Sequence, residues 1–328
     1  MAVRNVEREL EDIKALRTAA PGEARTRALH KALKDKVNVI AAKAAGITAE
    51  LEERSLIPDL LATFDRFLFD PVKSDPQCWG KNAIAKALRD LGHAESDVYL
   101  RGARHVQYEP VWGGEEDTAA NLRGTCALAL LNCTDITRED KLWFVMPLLT
   151  EQSPSLKKDG AIALESLAGR EAALMLRIKA RMGDKDPGVT GQVFESLLRV
   201  ERDSAVPFVI EFLRSPNPEV REEAALALGA SRLTSAIDAL EDAAHQHQLF
   251  LDIEIFSRAL AISRNEKAID ILLDIIRSRR SNEAVAAVNA LALYRDSPEL
   301  VERIKQAVSN RTEPEIQRNF TSLFSALR

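Results

Sequence analysis

Cysteine is scarce in this chain, with Cys78, Cys126 and Cys133 the only three. An odd, sparse count supplies no disulfide framework, so packing must hold the fold. Cys126 and Cys133 are expected on one helix, about 10.5 Å apart along its axis. That exceeds the roughly 7 Å a disulfide tolerates between Cα atoms. Aromatic residues make up 5% of the sequence although 46% is hydrophobic. The apolar residues are mostly Ala, Leu, Ile and Val, which suits a long thin core of closely packed helices. A basic surplus is missing as well, the formal net charge being −5. Phosphate neutralisation supplies most of the affinity for nucleic acid, so this balance argues against such a partner. No apolar run approaches the roughly 18 residues of a membrane span. Met1 to Leu10 includes Arg4, Glu7, Arg8 and Glu9 and no apolar core, unlike a signal peptide. The expectation is a cytoplasmic protein that does not enter a membrane.

Catalytic and metal motifs are missing too. There is no Gly-x-Ser-x-Gly elbow and no His-Glu-x-x-His. Gly183 to Gly188 has the spacing of a phosphate-binding loop, but Val189 stands where the lysine that meets the phosphates belongs. A turn followed by a helix start fits that stretch better. Of the histidines, His245 and His247 are two apart and would face different directions on a helix. Neither a metal nor a cofactor is expected.

What the sequence does contain is a period of about 32 residues. In Pro218 to Gly229, proline occupies the first helical turn, where its missing N–H costs nothing. Val220, Ala224 and Leu228 then form a stripe at i, i+4, i+8, and Gly229 lies where a helix would stop. The same stripe recurs as Leu156, Gly160, Leu164; Val189, Val193, Leu197; Val285, Asn289, Leu293; and Ile316, Phe320, Phe324. Leu249 to Ile262 is an irregular copy without a leading proline. Between these lie partner helices that open on Ala205-Val206, Ala236-Ile237 and Ala268-Ile269. No window reads as a strand. Helix pairs are expected near 56–91, 94–132, 141–169, 170–200, 203–230, 233–264, 266–295 and 297–328. Ahead of them, Val3, Val6, Leu10, Ile13 and Leu16 form one helical stripe, ended by Pro21. Leu29, Leu33, Val37 and Ile40 form a second, ended near Gly46.

Residues 204–244 resemble the HEAT-repeat family, in particular bacterial HEAT-like repeats of the phycobilisome-lyase type. Ala205-Val206-Pro207, Asn217-Pro218-Glu219-Val220-Arg221 and Leu228-Gly229 carry the resemblance. Ala230-Ser231-Arg232-Leu233 departs from it, replacing a Gly-Asp turn. The resemblance implies an all-α fold, a right-handed α-solenoid of about eight HEAT-like helix pairs. Residues 1–50 are then an N-terminal helical cap, because a solenoid must cover its exposed end, and residues 51–328 the repeat array.

One segment interrupts the period. Between Arg101 and Asp117 lies a loop of about eight residues where neighbouring turns need three or four. It gathers Arg101, Arg104, His105, Gln107, Tyr108, Glu109, Trp112, Glu116 and Asp117 beside Gly113 and Gly114. Long polar-aromatic loops on rigid helical arrays are frequent binding elements, and these nine residues are the candidate site. Alternatively, Tyr108, Val111 and Trp112 fold back as a lid over the apolar seam, with Glu115 to Asp117 at a helix N-terminus. The B helices, which close each pair, offer Lys157, Lys158, Arg221, Glu222, Glu254, Arg258 and Arg318. Mixed signs of this kind suit a protein or peptide on a concave face better than a polyanion. The expected function is a non-catalytic interaction scaffold. Two relatives of the fold supply alternatives: DNA-glycosylase-like base handling, which would draw on Trp79, Trp112, Trp143 and Asp117, and chromophore-lyase-like activity.

Overall fold

The computed structural model describes residues 5–245 and 253–324. The chain divides into two compact units, Met1–Leu167 and Ala168–Arg328. The first contains α1 (Val6–Ala15), α2 (Glu23–Leu33), α3 (Asn38–Glu50), α4 (Ile57–Leu68), α5 (Pro71–Ser74), α6 (Trp79–Asp90) and α7 (Asp97–Ala103). A hairpin follows, β1 (Tyr108–Val111) and β2 (Gly114–Asp117), then α8 (Ala120–Leu130), α9 (Arg138–Val145) and α10 (Pro154–Leu167). Helices α3, α6, α8 and α10 pack in succession as one layer, and α2, α4, α7 and α9 cover it.

The second unit repeats the plan with α11 (Gly169–Met182), α12 (Pro187–Glu201), α13 (Val206–Ile210), α14 (Pro218–Ala230) and α15 (Thr234–His245). It continues with α16 (Ile253–Ile262), α17 (Glu266–Ser278), α18 (Ser281–Leu291), α19 (Pro298–Ser309) and α20 (Pro314–Phe324). The even-numbered helices form one continuous layer and the odd-numbered ones pack against it. All eight expected helix pairs are present. Residues 249–252 of the irregular copy lie outside the described residues, as do Val3 and His247.

Local chemistry sets the helix starts. The Asn217 side chain accepts from the Glu219 N–H at 2.9 Å, and Asn265 does the same for Lys267 at 2.9 Å. Asp186 accepts from the Val189 N–H at 3.2 Å, so the stretch with phosphate-loop spacing is indeed a turn and a helix start. Arg221 reaches back to the Ser215 carbonyl at 2.7 Å and that of Pro216 at 3.2 Å. It therefore ties its own helix to the preceding turn.

Several expectations need correcting. The second N-terminal stripe is broken at Lys34–Val37 into α2 and α3, and Gly46 lies inside α3. The side chain of Asp35 accepts from the Val37 N–H at 2.8 Å and stabilises that break. Helix α8 stops at Leu130, so Cys133 sits in the following turn, and all three thiols are buried and free. In α18 the buried stripe is Ala284, Val288 and Leu291, one register away from the expected one, and Asn289 and Leu293 are exposed. Gly229 caps nothing. It is helical and buried, and a Cβ there would lie on the carbonyl oxygen of Ala259, 3.1 Å from that residue's Cα. Glycine lets α14 and α16 approach backbone to backbone.

The turns that leave α12, α14 and α16 are unusual. Arg202, Arg232 and Arg264 have φ of 55°, 56° and 52°, a backbone glycine adopts freely. An L-residue loses about 1–2 kcal/mol there, and the basic side chain recovers only about 0.3–1 kcal/mol from the helix C-terminus. Ser231 and Ser263 make matching turns, each hydroxyl donating to a carbonyl three residues back at 2.6 Å.

Leu228 is fully buried. Leu228→Ala should destabilise the second unit by about 2–5 kcal/mol, and Gly229→Ala by about 1–3 kcal/mol through overpacking. Because each repeat touches only its neighbours, hydrogen exchange should quicken first in α12, α14 and α16. Unchanged exchange there would refute the packing assignment.

Candidate functional site

The interruption at 101–117 is a β-hairpin, which corrects the expectation of a strand-free loop. Tyr108 pairs with Asp117, Glu109 with Glu116, Pro110 with Glu115 and Val111 with Gly114. Trp112 and Gly113 make the two-residue turn, Gly113 at φ 96°. Glu115 to Asp117 therefore belong to β2 and not to a helix N-terminus.

A buried polar network anchors the hairpin. Asp75, between α5 and α6, and Lys81, in the first turn of α6, are both fully buried and paired at 3.0 Å. Asp75 also accepts from Asn38 of α3 at 2.8 Å and from the N–H groups of Gly80 and Lys81 at 2.7 and 2.9 Å. Lys81 donates to the Phe67 carbonyl at 3.2 Å. The hairpin joins through Gln107, which donates to the Asp75 carbonyl at 3.0 Å and to Glu109 at 2.6 Å. One oxygen of Glu109 also accepts from the Gln77 N–H at 2.6 Å and the Thr118 hydroxyl at 2.7 Å. Gln77 and Cys78 hold φ of 62° and 53° to make this possible. On the far side, Arg123 pairs with Asp117 at 2.7 Å and Glu151 at 2.9 Å and donates to the His105 carbonyl at 3.1 Å.

The titrating groups follow this geometry. Burial opposes charge on Glu109, but the hydrogen bonds from Thr118, Gln107 and Gln77 outweigh it and hold its pKa below the ordinary value. Asp117 is lowered in the same way, the Ala119 and Gln107 N–H groups and Arg123 overcoming burial. Burial pushes His105 down and the Cys78 thiol up to about 11, so Cys78 is an unreactive thiol.

The nine candidate residues separate into three groups. His105, Gln107, Glu109 and Asp117 belong to the anchoring network. Tyr108, Trp112 and Glu116 face outward, with Trp112 104% and Tyr108 62% exposed. Arg101 instead pairs with Asp65 at 2.5 Å and Asp97 at 2.9 Å, and Arg104 lies over the Phe144 ring, 5.1 Å from its centroid. The lid alternative fails for Trp112, which covers nothing. Asp75, Lys81, Thr118, Arg123 and Glu151 were not anticipated. Asp75-Pro76 ahead of a helix was the only local signal for any of them. Beside β2 a cleft of about 600 Å³ is bounded by Trp79, Asn82, Glu115, Glu116, Arg123 and Glu151. Among the B-helix charges, Arg221 is committed to its turn, and Arg258 reaches Glu222 on the neighbouring helix at 3.2 Å.

The family model described as HEAT repeats matches residues 174–249. No curated protein matches the chain. Among solved structures, human deoxyhypusine hydroxylase in complex with glycerol is 18% identical with a TM-score of 0.31, over 74% of this chain and 85% of that one. An engineered protein is 16% identical with a TM-score of 0.39, over 99% and 96% of the two chains. The complex of CpcE and CpcF of phycocyanin lyase from Nostoc sp. is 13% identical with a TM-score of 0.31, over 94% and 96%. None of these three sets an expectation for this chain. No described helix is long and apolar enough to cross a membrane.

Removing one partner of a buried ion pair strands the other charge. Lys81→Ala should therefore cost the first unit about 3–5 kcal/mol in denaturant unfolding, and a loss under 1 kcal/mol would contradict the burial. Because the folded pKa of Glu109 lies below its ordinary 4.5, its contribution is complete above that pH and is lost as pH falls further. Hydrogen exchange at the Gln77 and Thr118 N–H groups, corrected for intrinsic rates, should quicken below about pH 4.5. In Glu109→Gln that acid-dependent step should disappear.

Proposed function

We propose that this chain is a non-catalytic scaffold that binds a protein or peptide through the β1–β2 hairpin. The carrying observation is the contrast within the six residues from Gln107 to Trp112. Gln107 and Glu109 are buried in a satisfied network, while Trp112 is fully exposed at the tip. A fold rarely spends such an anchor on an indole that packs against nothing, and Trp is the residue most enriched among interface hot spots. Because the hairpin is held rigid, little ordering entropy is lost when a partner binds. The cleft beside β2 extends the surface: its Trp79 is 57% exposed, and its carboxylates outnumber its single guanidinium, which disfavours a phosphate backbone. On this reading the three helices of residues 1–50 serve as the array's cap, and the protein works in the cytoplasm.

Trp112→Ala should leave the melting temperature nearly unchanged, a surface substitution being worth about ±0.5 kcal/mol. Partner binding should weaken by about 2 kcal/mol or more. A photo-crosslinking residue at position 112 would identify the partner in lysate, and the purified pair would supply the affinities. A stability loss of about 3–5 kcal/mol, as for a core aromatic, or equal binding by wild type, Trp112→Ala and Tyr108→Ala, would sink the proposal.

A further inference from the structure

The turns that leave four successive even-numbered helices of the second unit each carry an exposed arginine: Arg202 after α12, Arg232 after α14, Arg264 after α16 and Arg295 after α18. Among the described residues, no hydrogen bond or ion pair engages any of these four guanidinium groups. Other arginines of the same unit are engaged. Arg177 pairs with Glu201, Arg181 with Glu211, Arg303 with Glu266, and Arg221 bonds to its turn.

Three of the four also sit at positive φ, where glycine would remove the strain and the helix dipole does not recover it. A strained residue whose side chain contributes nothing to the fold, repeated at the period of the array, points to use outside the fold. The helices these turns leave, α12, α14, α16 and α18, pack in succession as one layer, which sets the four turns along one end of it. Tyr294 donates to the Ala261 carbonyl at 2.5 Å. Burial raises the pKa of its phenol, and Arg264 and Arg232 both lie close enough to oppose the rise. Carboxylates are interspersed: Asp203, which accepts from Ser235 at 2.5 Å, and Asp296.

Spacing selects the ligand. Packed helices lie about 8–10 Å apart, so the successive turns that bear these arginines repeat at about that interval. A peptide in the extended polyproline II conformation advances about 3.1 Å per residue with three residues per turn, which keeps every third side chain on one face and brings it to the next arginine. A nucleic acid strand carries a charge about every 3.4 Å and would press phosphates against Asp203 and Asp296. Carboxylates at discrete intervals avoid that conflict, and each can take both prongs of a guanidinium. We propose that this row of turns binds an extended acidic peptide, with Asp or Glu at every third residue, through Arg202, Arg232, Arg264 and Arg295. The row belongs to the second unit and the hairpin to the first, and the inference does not depend on the function proposed for the hairpin.

The test uses the full chain and a fluorescein-labelled peptide of repeated Glu-Ser-Ala triplets, titrated by anisotropy at low salt. The controls are a peptide of the same composition with its glutamates contiguous, and oligothymidylate. The triplet peptide should saturate and bind tightest, and added salt should weaken it. The double variant Arg232→Gly/Arg264→Gly should weaken it at least tenfold with an equal or higher melting temperature, since glycine relieves the backbone. Arg232→Glu/Arg264→Glu should abolish binding, and Trp112→Ala should leave it unchanged. That last arm separates failure here from failure at the hairpin. Unchanged binding by the glycine pair, equal binding of the contiguous peptide, or tighter binding of oligothymidylate would overturn the proposal. So would a lower melting temperature of the glycine pair, which would make the arginines structural.

Discussion

The Asp75 carboxyl group lies in a place with no access to water, and the first unit is arranged around that fact. A carboxylate buried alone would be prohibitively unstable, so every approach to it is made by a donor. Lys81 supplies the counter-charge, Asn38 reaches across from α3, and two N–H groups at the start of α6 complete the shell. The aspartate thereby caps α6, and its backbone carbonyl receives Gln107 from the hairpin. Three segments distant in sequence are fastened at one residue. Two short, charged strands that would not pair stably alone become a fixed projection because their inner face belongs to this network.

The second unit relies on a different constraint, the closeness of its B helices. Gly229 meets the Ala259 backbone, and α14 and α16 bury small residues such as Ala224, Ala225 and Ala259. Surface pairs also link successive A helices, Lys267 to Asp238 and Glu241, and Arg303 to Glu266 and Asp270. Exposed pairs of that kind contribute about 0–1 kcal/mol each. They align the array more than they stabilise it. The apolar seam dominates, and it leaves the connecting turns free to vary in sequence.

That freedom is where the two proposed surfaces arise. A repeat array needs only a short polar turn between helices. Here one turn has grown into an anchored hairpin that lifts an indole into solvent, and a row of others holds arginine where glycine would be easier. Both features spend conformational strain or buried charge on side chains the fold does not use. Rigid helices beneath them keep the geometry fixed without a partner present.

The eight helix pairs were legible in the sequence because a helix stripe is a local property. Residues four apart share a face whatever lies beyond them, and proline, asparagine and glycine mark the boundaries within a few positions. The errors came where a local signal has two uses. Gly229 reads as a stop but serves a close approach, and Val285 and Ala284 both continue a plausible stripe until a neighbouring helix selects one. The segment at 101–117 stood out by composition, and four of its nine candidates do form a network. Its strands, however, are held by partners such as Asp75, Gln77 and Thr118, brought together only by folding. Burial of Lys81, exposure of Trp112 and the pairing of Arg101 with Asp65 depend on which helices become neighbours. The sequence by itself determined where helices begin, end and turn an apolar face inward. Tertiary structure alone decided which charges are buried together, because a carboxylate's donors are chosen by distance in space and not along the chain.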